Sequence, residues 1–288
     1  MIPPPPPPPP PPPAAVYPSF ATPTSNQQVP LSGVVLSRTD VSTSTGQTQG
    51  ATSVAAKPFS DGSLSISYDA ATSSYTVHDG SRSQTFRPAD IRPDFGINGP
   101  AFQNYYIENA GPTQQDYLSL YRPGGGGGDV ALTYTTLSEW VRISYTDSND
   151  GRTRTTTSQD VMGVGGFETL ASDMPRTGTA SYAGPLRGYH VNGTALLNVT
   201  GQAQLSANFA AGTVQADLFL NRAGFSTLLV GGAGSIASSR FGGTLSGGGY
   251  SGPFDGAFFG PAAAEMGLSF SLINAGGERI VGVGAGRK

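Results

Sequence analysis

Gln202-Ala-Gln-Leu-Ser-Ala-Asn-Phe209 is followed by Ala210-Ala-Gly212 and then by Thr213-Val-Gln-Ala-Asp-Leu-Phe-Leu220. Successive side chains of an extended chain point to opposite sides. Ala203, Leu205, Ala207 and Phe209 therefore share one face, and Gln202, Gln204, Ser206 and Asn208 the other. After the turn, Val214, Ala216, Leu218 and Leu220 line one face against Thr213, Gln215 and Asp217. A period of two sustained on both sides of a glycine turn predicts an antiparallel hairpin with one packed and one wet face.

Around this hairpin, Gly232, Gly242, Gly243, Gly256, Gly282 and Gly284 recur inside runs of the same alternation. Each weakens a strand, so their density predicts bends, bulges or close backbone approach, as at barrel corners. No crossover helix separates the runs, and only Pro261–Met266 reads as a helical turn. Six to eight short strands in this arrangement predict an antiparallel up-and-down β-barrel, read as eight-stranded over residues 175–288, which removes its sheet edges by closing.

The preceding segment, residues 31–174, has the texture of a separate β domain. Leu64, Ile66 and Tyr68 alternate with serines, Asp69-Ala-Ala-Thr72 turns the chain, and Tyr75 and Val77 resume before Asp79-Gly80. Tyr117–Tyr121 reads as a strand, the five glycines Gly124–Gly128 as a loop, and Val130–Thr136 and Trp140–Tyr145 as two further strands. Residues 1–30 read as a disordered proline-rich tether. Its eleven consecutive prolines, Pro3–Pro13, form a semi-rigid polyproline spacer of roughly 34 Å at about 3.1 Å per residue.

Composition narrows the function. Net charge is −3 and the 16 Lys and Arg residues are scattered singly, so nucleic acid is excluded as a partner. With no Cys there is no disulfide scaffold, thiol nucleophile or zinc ribbon. No apolar run approaches the roughly 20 residues of a spanning helix. Met1-Ile2 passes straight into proline, so neither a signal peptide nor a lipobox Cys is expected in the chain as it stands.

Catalytic and cofactor chemistry finds little footing. Gly232-x-Gly234-x-x-Ala237 mimics a dinucleotide fingerprint, but Ser238-Ser-Arg-Phe-Gly-Gly243 is poor material for the helix that would bind the pyrophosphate. His78 beside the Asp79-Gly80 turn and His190 after Arg187-Gly-Tyr189 are expected at solvated turn or rim positions. An enzyme would need one of them beside a serine and a carboxylate. Asn192-Gly-Thr194 and Asn198-Val-Thr200 match glycosylation acceptors, but they fall in or beside expected strands. The protein is read as non-enzymatic, with no metal or cofactor. Between Asp94 and Tyr121, Phe95, Phe102, Tyr105, Tyr106, Tyr117 and Tyr121 form an aromatic cluster. It is either packing for the first sheet or a partner-binding surface, since Tyr anchors interfaces well.

Longer phrases resemble a known family. Phe254-Asp-Gly-Ala-Phe-Phe-Gly-Pro-Ala-Ala-Ala-Glu-Met-Gly267, the strand Leu268-Ser-Phe-Ser-Leu272 and the close Ile280-Val-Gly-Val-Gly-Ala-Gly-Arg-Lys288 look like the end of a transferrin-binding protein B type β-barrel. Val283 stands where the closing motif usually has an aromatic residue. Met174-Pro-x-x-Gly-Thr-Ala-Ser-Tyr-x-Gly184 resembles the start of that barrel. Leu132-Thr-Tyr-Thr-Thr-Leu-Ser-Glu-Trp140 resembles a strand of the small preceding sheet, called the handle. The resemblance implies a Gram-negative lipoprotein of the outer membrane or cell surface, or a periplasmic protein, held by a lipid anchor absent from this sequence. It implies recognition of a protein, haem or an iron carrier through exposed loops, in partnership with a TonB-dependent receptor. A structural or adhesive surface protein is the alternative. No binding residue can be carried across, because the ligand-contacting loops are the family's most variable parts.

Overall fold

The computed structural model describes residues 15–80, 82–93, 101–108, 113–121, 130–222 and 227–288. Pro3–Pro13, Phe95 and Gly124–Gly128 lie outside them. The first ten strands are β1 (Gln27–Thr43), β2 (Gly46–Thr48), β3 (Ser53–Lys57), β4 (Leu64–Asp69), β5 (Ser74–Asp79), β6 (Arg82–Phe86), β7 (Phe102–Glu108), β8 (Gln114–Tyr121), β9 (Thr135–Asp147) and β10 (Thr153–Gly166). They form one antiparallel sheet in the order β6-β5-β4-β1-β10-β9-β8-β7, with β2 and β3 paired to β1. The small sheet expected ahead of the barrel thus has ten strands. The sheet curls until an Ile91–Tyr105 bridge joins its two ends. Leu31, Ile66, Val77, Phe86, Leu118 and Trp140 fill the inside of the curl.

The next eight strands are β11 (Thr179–Asn192), β12 (Ala195–Asn208), β13 (Thr213–Arg222), β14 (Leu228–Ala237), β15 (Arg240–Gly247), β16 (Tyr250–Phe259), β17 (Glu265–Asn274) and β18 (Arg279–Arg287). They close an antiparallel barrel in sequence order, β18 returning to β11. The hairpin that opened the sequence reading is β12–β13. Ala203, Leu205 and Ala207 are buried opposite Leu218, Ala216 and Val214, and the intervening polar residues face out. Gly234 and Gly243 pair across β14–β15. A methyl group on either would stand 3.0 or 2.8 Å from the Phe254 ring, so the absent side chains make room for that ring inside the barrel. The apparent dinucleotide fingerprint is the strand β14 itself.

Barrel and sheet pack face to face. Val34, Leu36, Leu137, Met162 and Val164 of the sheet meet Tyr189, Val191, Val281, Val283 and Ala285 on the outside of β11 and β18. The smaller side chain at Val283 is buried in that seam. Polar clamps supplement it. The Glu265 carboxylate accepts backbone N–H bonds from Thr133 at 2.5 Å and from Tyr134 and Thr135 at 2.9 Å each. Asp255 accepts from the Ser32 hydroxyl and the Phe59 N–H, each at 3.1 Å.

Three expectations are corrected. The chain is held from Tyr17 onward rather than from residue 31. The Tyr17 hydroxyl donates to Asp173, Phe20 is buried beside Tyr75, and Gln27–Pro30 pair with β4. A few apolar anchors in a polar stretch suffice to fix it. Of the strands expected at Val130–Thr136 and Trp140–Tyr145, Val130–Tyr134 is not in a strand, and the rest forms one strand, β9, because Ser138 and Glu139 continue the ladder opposite Gly163 and Met162. The expected helical turn at Pro261 is confined to the 3₁₀ turn Pro261–Ala263, and Glu265 already begins a strand.

Candidate functional site

The aromatic cluster divides between the two readings. Phe102, Tyr105 and Tyr121 are buried, as packing requires. Tyr106 and Tyr117 alternate with buried neighbours and so lie on the outside of the curl, half-buried, with ring centres 4.9 Å apart. Tyr145 on β9 joins them. The hydroxyls of Tyr117 and Tyr145 both donate to Gln115 Oε1, at 3.1 and 3.3 Å. Partial burial, reinforced by the neighbouring phenols and Glu108, holds the Tyr106 and Tyr117 hydroxyls above their usual range. They stay neutral donors and acceptors. Arg154, paired with Asp147, lies 5.5 Å from the Tyr145 ring centre. The sheet therefore presents a three-tyrosine face mounted on rigid ladders.

A second feature was not expected from the sequence. His190 does not sit in a solvated turn. It is in β11, 4% exposed, with its ring turned into the end of the barrel. Arg222 Nη1 contacts its Nδ1. A guanidinium has no acceptor, so Nδ1 accepts and the ring proton sits on Nε2, 3.1 Å from the Tyr250 hydroxyl. Tyr250 in turn donates to Glu278 Oε2 at 2.7 Å. Asn192 and Asn274 also hold that carboxylate, at 2.5 and 3.0 Å. The result is a one-way hydrogen-bond chain from Arg222 to Glu278. Burial, then the Arg222 charge, lowers the His190 pKa. Burial, then the bond to Glu278, pushes Tyr250 up to about 12.

The chain borders a cavity of about 370 Å³ floored by Val199, Leu220, Leu228 and Ile280. Among the described residues no serine lines it. His78 is half-buried in β5, opposite Ser65 and Ser83. Among the described residues no group of three or more His, Asp or Glu side chains is placed to hold a metal ion.

A family model described as the C-lobe and N-lobe beta barrels of Tf-binding protein B matches residues 174–288. Over those residues the barrel is similar to the barrels of transferrin-binding protein B. Solved structures similar to the whole chain include transferrin binding protein B of Haemophilus parasuis, at 11% identity over 91% of this chain and 78% of that one, with a TM-score of 0.45. The haemoglobin receptor HpuA of Kingella denitrificans is 14% identical over 96% of this chain and 95% of that one, with a TM-score of 0.43. HpuA has also been solved in complex with human haemoglobin. No curated protein sequence matches. Within this transferrin-binding protein B-like barrel, the matched residues include every strand and the whole His190–Tyr250–Glu278 chain. The tyrosine face stands outside the matched segment.

Proposed function

We propose that this protein is a non-enzymatic binding protein of the Gram-negative cell surface that captures a host iron-carrier protein through the outer face of its sheet. The observation that carries the reading is the Tyr106–Tyr117–Tyr145 face, three adjacent phenols held by paired strands beside a transferrin-binding protein B-like barrel. Phenol rings supply large contact area at little entropic cost, each with a polar tip, which is why tyrosines dominate protein-recognition surfaces. Lipid anchoring and hand-over to a TonB-dependent receptor complete the proposal.

The test is immobilised full-length protein exposed to human haemoglobin and to ferric transferrin, with Tyr106→Ala, Tyr117→Ala and Tyr145→Ala beside the wild type. Binding of one carrier, weakened roughly thirtyfold by each central truncation at about 2 kcal/mol per hot-spot residue, is expected. Binding of neither carrier overturns the proposal and favours the adhesive alternative. Carrier binding indifferent to all three substitutions removes the tyrosine face from it.

A further inference from the structure

The two ends of the barrel are built differently. At the end where the chain enters, Tyr182 packs on Phe258, Phe241 and Phe209 stack on the same ring, and the Tyr182 hydroxyl donates to the Ala263 carbonyl at 2.7 Å. That end is plugged. The opposite end keeps the cavity of about 370 Å³, in a fold whose interiors otherwise pack to crystal density. Small-molecule sites have this size and character: an apolar floor with a few convergent polar groups, often in the mouth of a β-barrel.

The polar groups indicate what would fit. Arg222 brings a positive charge and Glu278 a negative one, on the two sides of the His190–Tyr250 bridge. Hydrogen bonds fix the positions of both. A ligand with a net charge of either sign would meet one favourable and one opposing group in a half-enclosed site, where Coulomb terms are strong. A ligand carrying both charges meets each with its complement. The floor of Val199, Leu220, Leu228 and Ile280 offers nothing to a polar tail and suits an aliphatic or aromatic one. The volume accommodates about 12 non-hydrogen atoms or more, at roughly 30 Å³ for each water it would otherwise hold.

We propose that the barrel mouth binds a small zwitterion with an apolar side group, of the class of free hydrophobic amino acids, its carboxylate toward Arg222 and its ammonium toward Glu278. The site is separate from the tyrosine face, so it stands or falls independently of carrier capture.

The test is titration of ¹⁵N-labelled full-length protein with L-phenylalanine, alongside 3-phenylpropionate, which lacks the ammonium, and phenethylamine, which lacks the carboxylate. Saturable shifts of the Leu228, Gly248 and Ile280 amides with phenylalanine are expected, with affinity at least about tenfold above either singly charged analogue. Arg222→Leu should abolish the preference for phenylalanine over phenethylamine. Leu228→Trp, which fills the mouth while leaving the hydrogen-bond chain intact, should abolish binding in a protein whose remaining spectrum is unchanged. Absence of saturable shifts in the folded wild type overturns the proposal. So does equal binding of either analogue, or undiminished binding by a folded Leu228→Trp variant.

Discussion

Replacing Glu265 by Ala tests whether sheet and barrel are one cooperative unit. The buried carboxylate receives three backbone N–H groups from Thr133, Tyr134 and Thr135, a segment that continues into β9. Bonds to a charged acceptor contribute about 1.5–3 kcal/mol each, so three would total roughly 4.5–9 kcal/mol. Burial of the carboxylate opposes that gain by several kcal/mol, and burial is also the leading reason its pKa is raised. A net loss of about 3–5 kcal/mol is expected for Glu265→Ala, and about half of that for Glu265→Gln, which retains one acceptor oxygen. Urea unfolding reads this directly, because the protein has a single tryptophan. Trp140 lies in the sheet, donating to Asp116 at 2.9 Å under the Arg142 guanidinium. Its fluorescence follows the sheet, and far-UV circular dichroism follows sheet and barrel together. In Glu265→Ala the fluorescence transition should move to lower urea and separate from the dichroism transition. A loss under about 1 kcal/mol with coincident transitions would show that the apolar seam alone joins the two halves.

Three further outcomes follow from buried groups. Asp160 is raised well above the ordinary 3.8 by burial and then by Glu139. Its proton stabilises the fold at low pH, and that contribution is lost as pH rises through the raised value. Asp160→Asn should flatten the alkaline fall in melting temperature. His190, lowered from 6.5, has the opposite sign, because the unfolded chain takes up the proton first as pH drops. Stability should decline below about pH 6.5, and His190→Gln should remove that acid limb while circular dichroism confirms an intact barrel. Gly260 has φ of 71°, and a methyl group there would stand 2.2 Å from the Tyr134 ring. Gly260→Ala should cost at least about 1–3 kcal/mol in thermal or urea unfolding.

The barrel was legible because its signal is local. In β12 and β13 each inward residue is flanked by outward polar ones, and a two-way alternation survives any choice of partner strand. The phrase around Gly260-Pro261 stood out only through its resemblance; the structure supplies the reason, a positive φ followed by a 3₁₀ turn that constrains residue type. The centre of the first sheet was not legible. β1 pairs with β10 across a stretch from Leu31–Gly165 to Thr43–Thr153, and nothing in Gln27–Thr43 announces a partner so distant in sequence. Its near-continuous burial also blurs the alternation. The candidate sites depended on the same missing information. Tyr106 and Tyr117 separate from Tyr105 only once their side of the sheet is known. His190 acquires its meaning from Arg222, Tyr250 and Glu278, which come from other strands and a turn. An inward-facing His at the end of an alternating strand, followed by Asn192-Gly193, was the one signal available.

Closure of the barrel by β18 on β11 has a consequence for biosynthesis. The first and last staves are separated by nearly the whole barrel sequence, so the cylinder cannot seal until Arg279–Arg287 has left the ribosome. Until then both terminal staves present open edges, and the seam formed by Tyr189 and Val191 with Val281 and Val283 has only half its surface. Because that long-range pairing must precede its reward, the barrel segment stays uncommitted until its last strand has been made.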